Sequence, residues 1–366
     1  MIDDSAPLTL ADVGTSAGAA LGVPGMADRL GLGQARHVIV CLIDGLGWQA
    51  LQESTTLAPH LFALSGRSIL AAFPTTTPVG LASLGTGLLA GGHGMVGASF
   101  ELPDLGEVLT PLHWGLHPLP IAVQPEPTVF ELADRAGVRV TTLSPSAYAS
   151  SGLTGAVLRG AEYIGVADVD DRAVALARIL VSSDPSFTYV YWPELDRVGH
   201  EYGPSSVQWR QALVRVDALV ERLLATLVPG SVLVITSDHG MVECPPDLRI
   251  RLEDDARLSQ GVRRWAGEPR ARHVYVQPGA AEDVCSTWRS ILDGRVDVMT
   301  REEVIDSDLM GPVDDALKER IGDLVALPRG RAMLSSTVDA TVSGLLGQHG
   351  GLTPEEMLIP ALVHGA

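Results

Sequence analysis

Short apolar runs that end in an acid set the pattern of this chain. "HVIVCLID" (37–44) is continuously apolar until Asp44, which is how a buried parallel strand reads. "SVLVITSD" (231–238) repeats the pattern, and "SFTYVYW" (186–192) and "VRVTTL" (138–143) predict two more strands. "ARHVYV" (271–276) and "RAMLSS" (331–336) carry shorter strand signals. Helical spacing separates them. "TVFELADRAG" (128–137) has Gly137 as a stop, and "DRAVALARILV" (171–181) follows. In 205–230, Trp209, Leu213, Val216, Val220, Leu223 and Leu227 recur at steps of three or four and share one face. Strands alternating with helices predict an α/β fold, a mostly parallel sheet covered on both faces. Ligands in such folds bind at the carboxyl ends of the strands.

Residues 245–335 differ in texture, with more charge and weaker periodicity. They are expected to form an insertion or lid contributing to the substrate pocket, on a core made of 1–244 and 336–366. The Gly-, Pro- and Ser-rich stretch 92–165 reads as another insertion.

The chain has 366 residues, 46% hydrophobic and 19% charged, enough for a large core. Its formal net charge of -18 argues against nucleic acid polymers and anionic membranes as partners, since both are polyanions. Three cysteines, Cys41, Cys244 and Cys285, form no disulfide framework and read as reduced, buried thiols. The opening stretch carries Asp3 and Asp4 and no basic segment, so a cytoplasmic location is expected. From Ser68 to Phe100 no Asp, Glu, Lys or Arg occurs. The prolines, glycines and threonines there point to a buried active-site segment rather than a membrane helix.

Four segments place Asp or His at the end of an element: "LIDGLG" with Asp44, "ELDRVGHEYGP" with Asp196 and His200, "SDHGM" with Asp238 and His239, and "GQHGG" with His349. Singly, each has an ordinary reading as a turn, cap or surface pair. Jointly, three carboxylates and three imidazoles at one sheet edge suit two divalent ions of zinc type. Two such ions bring four positive charges against three carboxylates, leaving the pocket about one charge positive in an acidic protein. A small phosphate ester is the expected substrate.

"FPTTTP" (73–78) precedes the helical spacing Leu81, Leu84, Leu88. Pro78 suits the first helical position, which makes Thr77 the expected N-cap, worth about 1 kcal/mol. A hydroxyl at a helix amino end beside a metal ion is also placed to attack phosphorus.

Together "DGLG", "FPTTTPVGLASLGTG", "ELDRVGHEYGP", "SDHGM" and "GQHGG" resemble the alkaline phosphatase superfamily, specifically its type I phosphodiesterase/nucleotide pyrophosphatase family. The resemblance runs from Asp44 to His349. It implies a two-zinc site, with manganese or a mixed pair also accepted by these ligands. Asp44, Thr77, Asp238 and His239 would hold one ion, and Asp196, His200 and His349 the other. Thr77 would be the covalent nucleophile. The family usually has Asn-His where Gly80 and Leu81 stand, and an asparagine donor where Ala98 and Ser99 stand. Ser99, Arg270 and Arg272 are the candidates to contact substrate instead. The alternatives are a phosphomonoesterase or phosphonate hydrolase of the same superfamily, and a non-catalytic metal-stabilised binding protein.

Overall fold

The computed structural model describes residues 6–337 and 340–365, so Asp3 and Asp4 fall outside it. Strands β1 (His37–Ile43), β2 (Ser65–Leu70), β3 (Arg139–Ser144), β4 (Glu162–Gly165), β5 (Ser186–Trp192) and β6 (Ser231–Thr236) belong to the main sheet. Strands β7 (Val262–Glu268), β8 (Ala271–Val276), β9 (Val296–Thr300) and β10 (Leu324–Pro328) form a second, four-stranded sheet of order β7-β8-β10-β9. Strand β11 (Leu358–Gly365) returns to the main sheet, whose order is β2-β11-β6-β1-β5-β3-β4. β11 runs antiparallel to both its neighbours, β2 and β6, and the remaining strand pairs of the sheet are parallel.

The helices that matter for the site are α1 (Leu10–Ala20), α2 (Thr77–Thr86), α3 (Gly152–Val157), α4 (Val169–Leu180), α5 (Glu194–Tyr202) and α6 (Val207–Thr226). β1 is buried on both faces, and its side chains divide two cores by their period of two. Val38, Val40 and Leu42 pack with Leu10 and Val13 of α1 and Val79 and Leu84 of α2. Ile39, Cys41 and Ile43 pack with Leu176 of α4 and Leu213, Val216 and Val220 of α6. The predicted stripe of α6 is its buried face, with Leu227 just beyond the helix end. The second sheet has its own core around Val274, Trp288 and Leu324.

Three expectations need amendment. The stretch 92–165 is not one insertion, because β3 and β4 within it are strands of the main sheet. "RAMLSS" contributes a short strand, Met333–Ser335, that pairs outside both large sheets with Arg249–Arg251. Helix α2 begins one residue early: Thr76 is its N-cap, because the Thr76 carbonyl already accepts from Gly80 N at 2.9 Å. Thr77 is therefore the first helical residue, Pro78 is second, and the Thr77 hydroxyl is not spent on capping. The uncharged stretch 68–100 covers the end of β2 and the wholly buried α2. Among the described residues no helix is long and apolar enough to cross a membrane. All three cysteines are buried and free.

Candidate metal centre and active site

The three central strands β6, β1 and β5 lie side by side and parallel, so the residues that follow them converge. Asp44 continues β1 by one more ladder bond, its N–H donating to Trp192 O at 3.0 Å. Gly45 then turns with φ 74°, a left-handed conformation that glycine adopts freely. Asp238 and His239 follow β6. After β5 the chain enters α5, where Asp196 and His200 lie one turn apart on the same side. His349 arrives from the loop before β11, and Thr77 from the first turn of α2.

The side chains meet closely. His239 Nε2 lies 3.2 Å from Thr77 Oγ1, 3.5 Å from Asp44 Oδ1 and 3.6 Å from Asp238 Oδ2. His349 Nε2 lies 3.1 Å from His200 Nε2 and 3.8 Å from Asp196 Oδ1, and His200 Nε2 lies 3.5 Å from Asp196 Oδ2. The rings of His239 and His349 stack at 3.7 Å. Two groups of donor atoms are compact enough for an ion each: Asp44, Asp238 and His239, and Asp196, His239 and His349.

Three observations fit this cluster to cations. Asp44 Oδ1, Asp196 Oδ1 and Asp238 Oδ2 are buried without a hydrogen-bond partner, although buried carboxylate oxygens are costly to leave bare. Each imidazole faces a backbone carbonyl through Nδ1: His200 to Gly347 O at 2.7 Å, His239 to Gly240 O at 3.0 Å and His349 to Thr75 O at 2.9 Å. A carbonyl only accepts, so each Nδ1 carries the proton and each Nε2 presents a lone pair to the site. The lone pairs of His200 and His349 then oppose each other at 3.1 Å with no proton to share. A cation between donors resolves that repulsion. Burial, then the neighbouring Asp238 and Asp196 carboxylates, hold the Asp44 pKa well above the usual carboxylate range. Burial, then the His239 and His200 rings, hold His349 well below the usual imidazole range. Burial thus disfavours charge on both Asp44 and His349, and a bound cation would relieve the cost of ionising Asp44.

Several positioning residues were missed in the sequence. Tyr191 donates a short hydrogen bond to Asp44 Oδ2, leaving Oδ1 to face the site. The period of two in "TYVYW" puts Tyr189 and Tyr191 on one face of a central strand, and that was the available signal. Ser237 Oγ accepts from Leu46 N at 2.9 Å and donates to His239 O at 2.7 Å, tying together the loops that follow β1 and β6. Asp238 Oδ1 accepts from Gly45 N at 3.2 Å and His239 N at 3.1 Å. Thr75, next to the nucleophile candidate, donates to Gly351 O at 2.9 Å and accepts from Gly350 N at 3.0 Å.

A cavity of about 940 Å³ opens beside the cluster, with Asp44, Thr77 and Asp196 in its wall. Its lining residues all fall between Asp44 and Arg215. Ser99, Arg270 and Arg272 do not line it. Ser99 exchanges hydrogen bonds with the backbone of Gly267. Arg270 is wholly buried in a two-pronged pair with Glu356, at 3.0 and 2.6 Å. Arg272 is buried and donates to Leu334 O at 3.3 Å. Position 80 leaves no room for a side chain, because a Cβ there would lie 2.6 Å from Asp238 Cβ.

Comparison with known proteins assigns the class. The model of the type I phosphodiesterase / nucleotide pyrophosphatase family matches residues 38–352, and the chain belongs to that family. Bovine bis(5'-adenosyl)-triphosphatase ENPP4 is 40% identical over 82 residues, 20% of this chain and 18% of the relative. Human ectonucleotide pyrophosphatase/phosphodiesterase family member 5 is 23% identical over 241 residues, 60% of this chain and 47% of the relative. The chain thus spans less than half the length of these curated relatives. The fold matches murine ectonucleotide pyrophosphatase / phosphodiesterase 5, with a TM-score of 0.74 at 22% identity over 90% of this chain and 88% of that one. It also matches phosphonoacetate hydrolase from Sinorhizobium meliloti 1021, with a TM-score of 0.71 at 20% identity over 90% of both chains.

Proposed function

We propose that this protein is a two-metal phosphodiesterase or pyrophosphatase with Thr77 as nucleophile. The observation that carries the proposal is the placement of Thr77 Oγ1. It sits at the amino end of α2, 3.2 Å from His239 Nε2, in the wall of the same cavity as Asp44 and Asp196. Asp44, Thr77, Asp238 and His239 would hold one ion, and Asp196, His200 and His349 the other. Mixed carboxylate and imidazole donors suit zinc, and manganese or a mixed pair is compatible with them. Such ions supply Lewis acidity toward phosphoryl oxygens and make a nearby hydroxyl easier to deprotonate.

The chain's own groups set the geometry of the reaction. The carbonyls of Gly347, Gly240 and Thr75 fix the three imidazoles, and Tyr191 fixes Asp44. The amino end of α2 favours the anionic phosphoryl group. Thr77 Oγ forms the new P–O bond as the bond to the leaving group breaks; the hydroxyl proton is lost and the leaving oxygen takes one up, so that Thr77 carries the phosphoryl group with its remaining ester substituent and a free alcohol or phosphate departs. Water then cleaves the phospho-threonine. Small phosphate esters as substrates are supported by the relatives: an inactive variant of the murine structural neighbour was solved with AMP. A cytoplasmic location belongs to the same proposal, supported by three free, buried thiols. Cell fractionation tests it.

The test of catalysis compares wild type with Thr77→Ala on bis-p-nitrophenyl phosphate and p-nitrophenyl phosphate, with zinc content measured for both. We expect diester turnover by wild type and its loss in the variant. Equal slow rates with equal zinc would remove Thr77 from the mechanism. Turnover confined to the monoester would replace the diesterase reading with a phosphomonoesterase.

A further inference from the structure

One buried carboxyl outside the ligand cluster has no part in the chemistry above. Glu268 closes β7 at the turn into β8, is 5% exposed, and leaves both carboxyl oxygens buried without a hydrogen-bond partner. Bare buried oxygens are costly, and stability alone would favour an apolar or fully paired residue in this place. The surroundings of Glu268 point to another reason. The Thr76 side chain and the Ala98 N–H approach its carboxyl, loosely rather than as completed hydrogen bonds. It also lies against Gly350, where a Cβ would come within 2.7 Å of Glu268 Cγ and 3.1 Å of its Oε1. Thr76 precedes the nucleophile, and Gly350 follows His349.

Thr76 forgoes a stabilising contact as well. It holds the N-cap place of α2, its carbonyl accepting from Val79 N at 3.0 Å and Gly80 N at 2.9 Å, yet its hydroxyl makes no capping bond. Such a bond is worth about 1 kcal/mol. The side chain meets Glu268 instead. Two residues thus go without their ordinary partners where the end of β7 meets the start of α2. Departures of this kind gather at functional sites. The same hairpin secures the His349 loop a second time: Arg270 pairs with Glu356, and Glu356 Oε1 accepts from Gly351 N at 2.9 Å. Burial outweighs the Thr76 side chain, the Arg272 charge and the Ala98 N–H, and raises the Glu268 carboxyl from 4.5 to about 8. A glutamine at 268 therefore resembles the group that fills this place near neutrality.

We propose that Glu268 is a positioning residue for Thr77: its carboxyl accepts from the Thr76 hydroxyl and bears on Gly350, holding the first turn of α2 against the His349 loop. The inference rests on the Thr77 reading above and gives the second sheet a part in hydrolysis without its reaching the cavity. Hydrogen bonds at such sites are commonly loose before substrate binds and tighten in the complex. An interaction that aims the nucleophile acts on the transition state, so its loss falls on kcat rather than KM.

The experiment is a double-mutant cycle on the zinc-loaded full chain with bis-p-nitrophenyl phosphate, with zinc content and urea midpoints measured throughout. Glu268→Leu removes the acceptor and keeps the bulk. Thr76→Val removes the hydroxyl and keeps the branched shape. Glu268→Gln keeps an acceptor. A misplacement of about 1 Å costs about 100-fold in rate, and a loosened first turn costs part of that. We expect each of Glu268→Leu and Thr76→Val to lower kcat at least about tenfold with KM within about threefold of wild type, and the double variant to lose no more than the worse single. Glu268→Gln should keep kcat within about threefold of wild type. A merely structural role would move urea midpoints and leave kcat of folded, zinc-loaded protein unchanged. Wild-type kcat in either single variant, losses that multiply in the double, or a Glu268→Gln variant as slow as Glu268→Leu overturns the inference and leaves the Thr77 reading standing. Should Glu268→Leu fail to fold, Thr76→Val and Glu268→Gln decide by the same criteria. If Thr77→Ala is as active as wild type, the Thr77 reading fails and takes this inference with it.

Discussion

Replacing Gly80 by alanine sets two measurable effects against each other. Alanine is better than glycine in a helix by about 1 kcal/mol, so in open space the variant would gain stability. The space is not open. The added Cβ would lie 2.6 Å from Asp238 Cβ, 3.1 Å from Asp238 Cα and 3.2 Å from its carbonyl oxygen. Carbon atoms in contact favour about 3.5–4.0 Å, so α2 and Asp238 must separate by about 1 Å. Asp238 cannot turn aside cheaply, because two backbone N–H groups hold its Oδ1. Overpacking of this kind costs about 1–3 kcal/mol, which exceeds the helix gain and leaves a net loss of about 1 kcal/mol. The catalytic effect is larger. The shift moves Thr77 relative to Asp238, and a misplacement of about 1 Å costs about 100-fold in rate. Thermal unfolding, zinc affinity by chelator competition and kcat/KM on bis-p-nitrophenyl phosphate read the three consequences. Gly92→Ala is the control, since its Cβ would meet only Leu88 atoms at 3.4 Å or more. A Gly80→Ala protein that is about 1 kcal/mol more stable and fully active would show that α2 does not press on Asp238.

Other perturbations follow from groups away from the nucleophile. Arg270→Ala strips the partner from Glu356, both wholly buried, and should cost about 3–5 kcal/mol in urea unfolding; a loss under about 1 kcal/mol would mean the pair is wetter than its burial implies. Burial raises the Glu268 carboxyl from 4.5 to about 8. A folded pKa above the unfolded one contributes stability that is full below pH 4.5 and lost as pH rises through about 8. Glu268→Gln should therefore gain on wild type by about 1.4 kcal/mol per pH unit within that window, and a pH-independent gap in urea midpoints would contradict it. Chelation should lower the melting temperature, and more at pH 8 than at pH 6. The raised pKa of Asp44 means its contribution in metal-free protein is lost as pH rises, while cation binding is helped by the same deprotonation. An ion at 100 times its Kd adds about 2.7 kcal/mol, so calorimetry with and without zinc reads the difference directly.

The parts of the fold that could be read in advance are those where one local rule decides. β1, β5 and β6 are apolar on both faces, and only a sheet covered on both sides allows that. The acids that end or follow those strands needed no further information, because parallel neighbours must end together. Strand β11 was illegible: "LIPALVHG" contains Pro360, which argues against an inner strand, yet it pairs between β2 and β6. Strand β2, "SGRSIL", is mostly exposed and lacks the apolar run. The fate of the arginines was also beyond local rules. Arg270 looks like an anion clamp in sequence, but its partner Glu356 lies 86 residues away. The cavity escaped for the same reason, since α3, α5 and the loop at Leu112 supply its wall from distant segments.

The hydrogen bonds of Thr75 bear on the order in which this chain becomes competent. Thr75 meets residues 349–351 through four bonds: Thr75 O with His349 Nδ1, Thr75 N with Gly350 O, and Thr75 Oγ1 with Gly350 N and Gly351 O. These contacts join positions about 275 residues apart. Contacts of such separation form late, after the loop between them has been closed. A ribosome-bound chain that has exposed Asp44, Thr77 and Asp238 but not His349 holds the Thr75–Thr77 loop without its clasp. Such a nascent chain has every proposed ligand except His349 but no fixed site, so hydrolytic competence and full metal retention should appear together, once residues 349–351 have docked on Thr75.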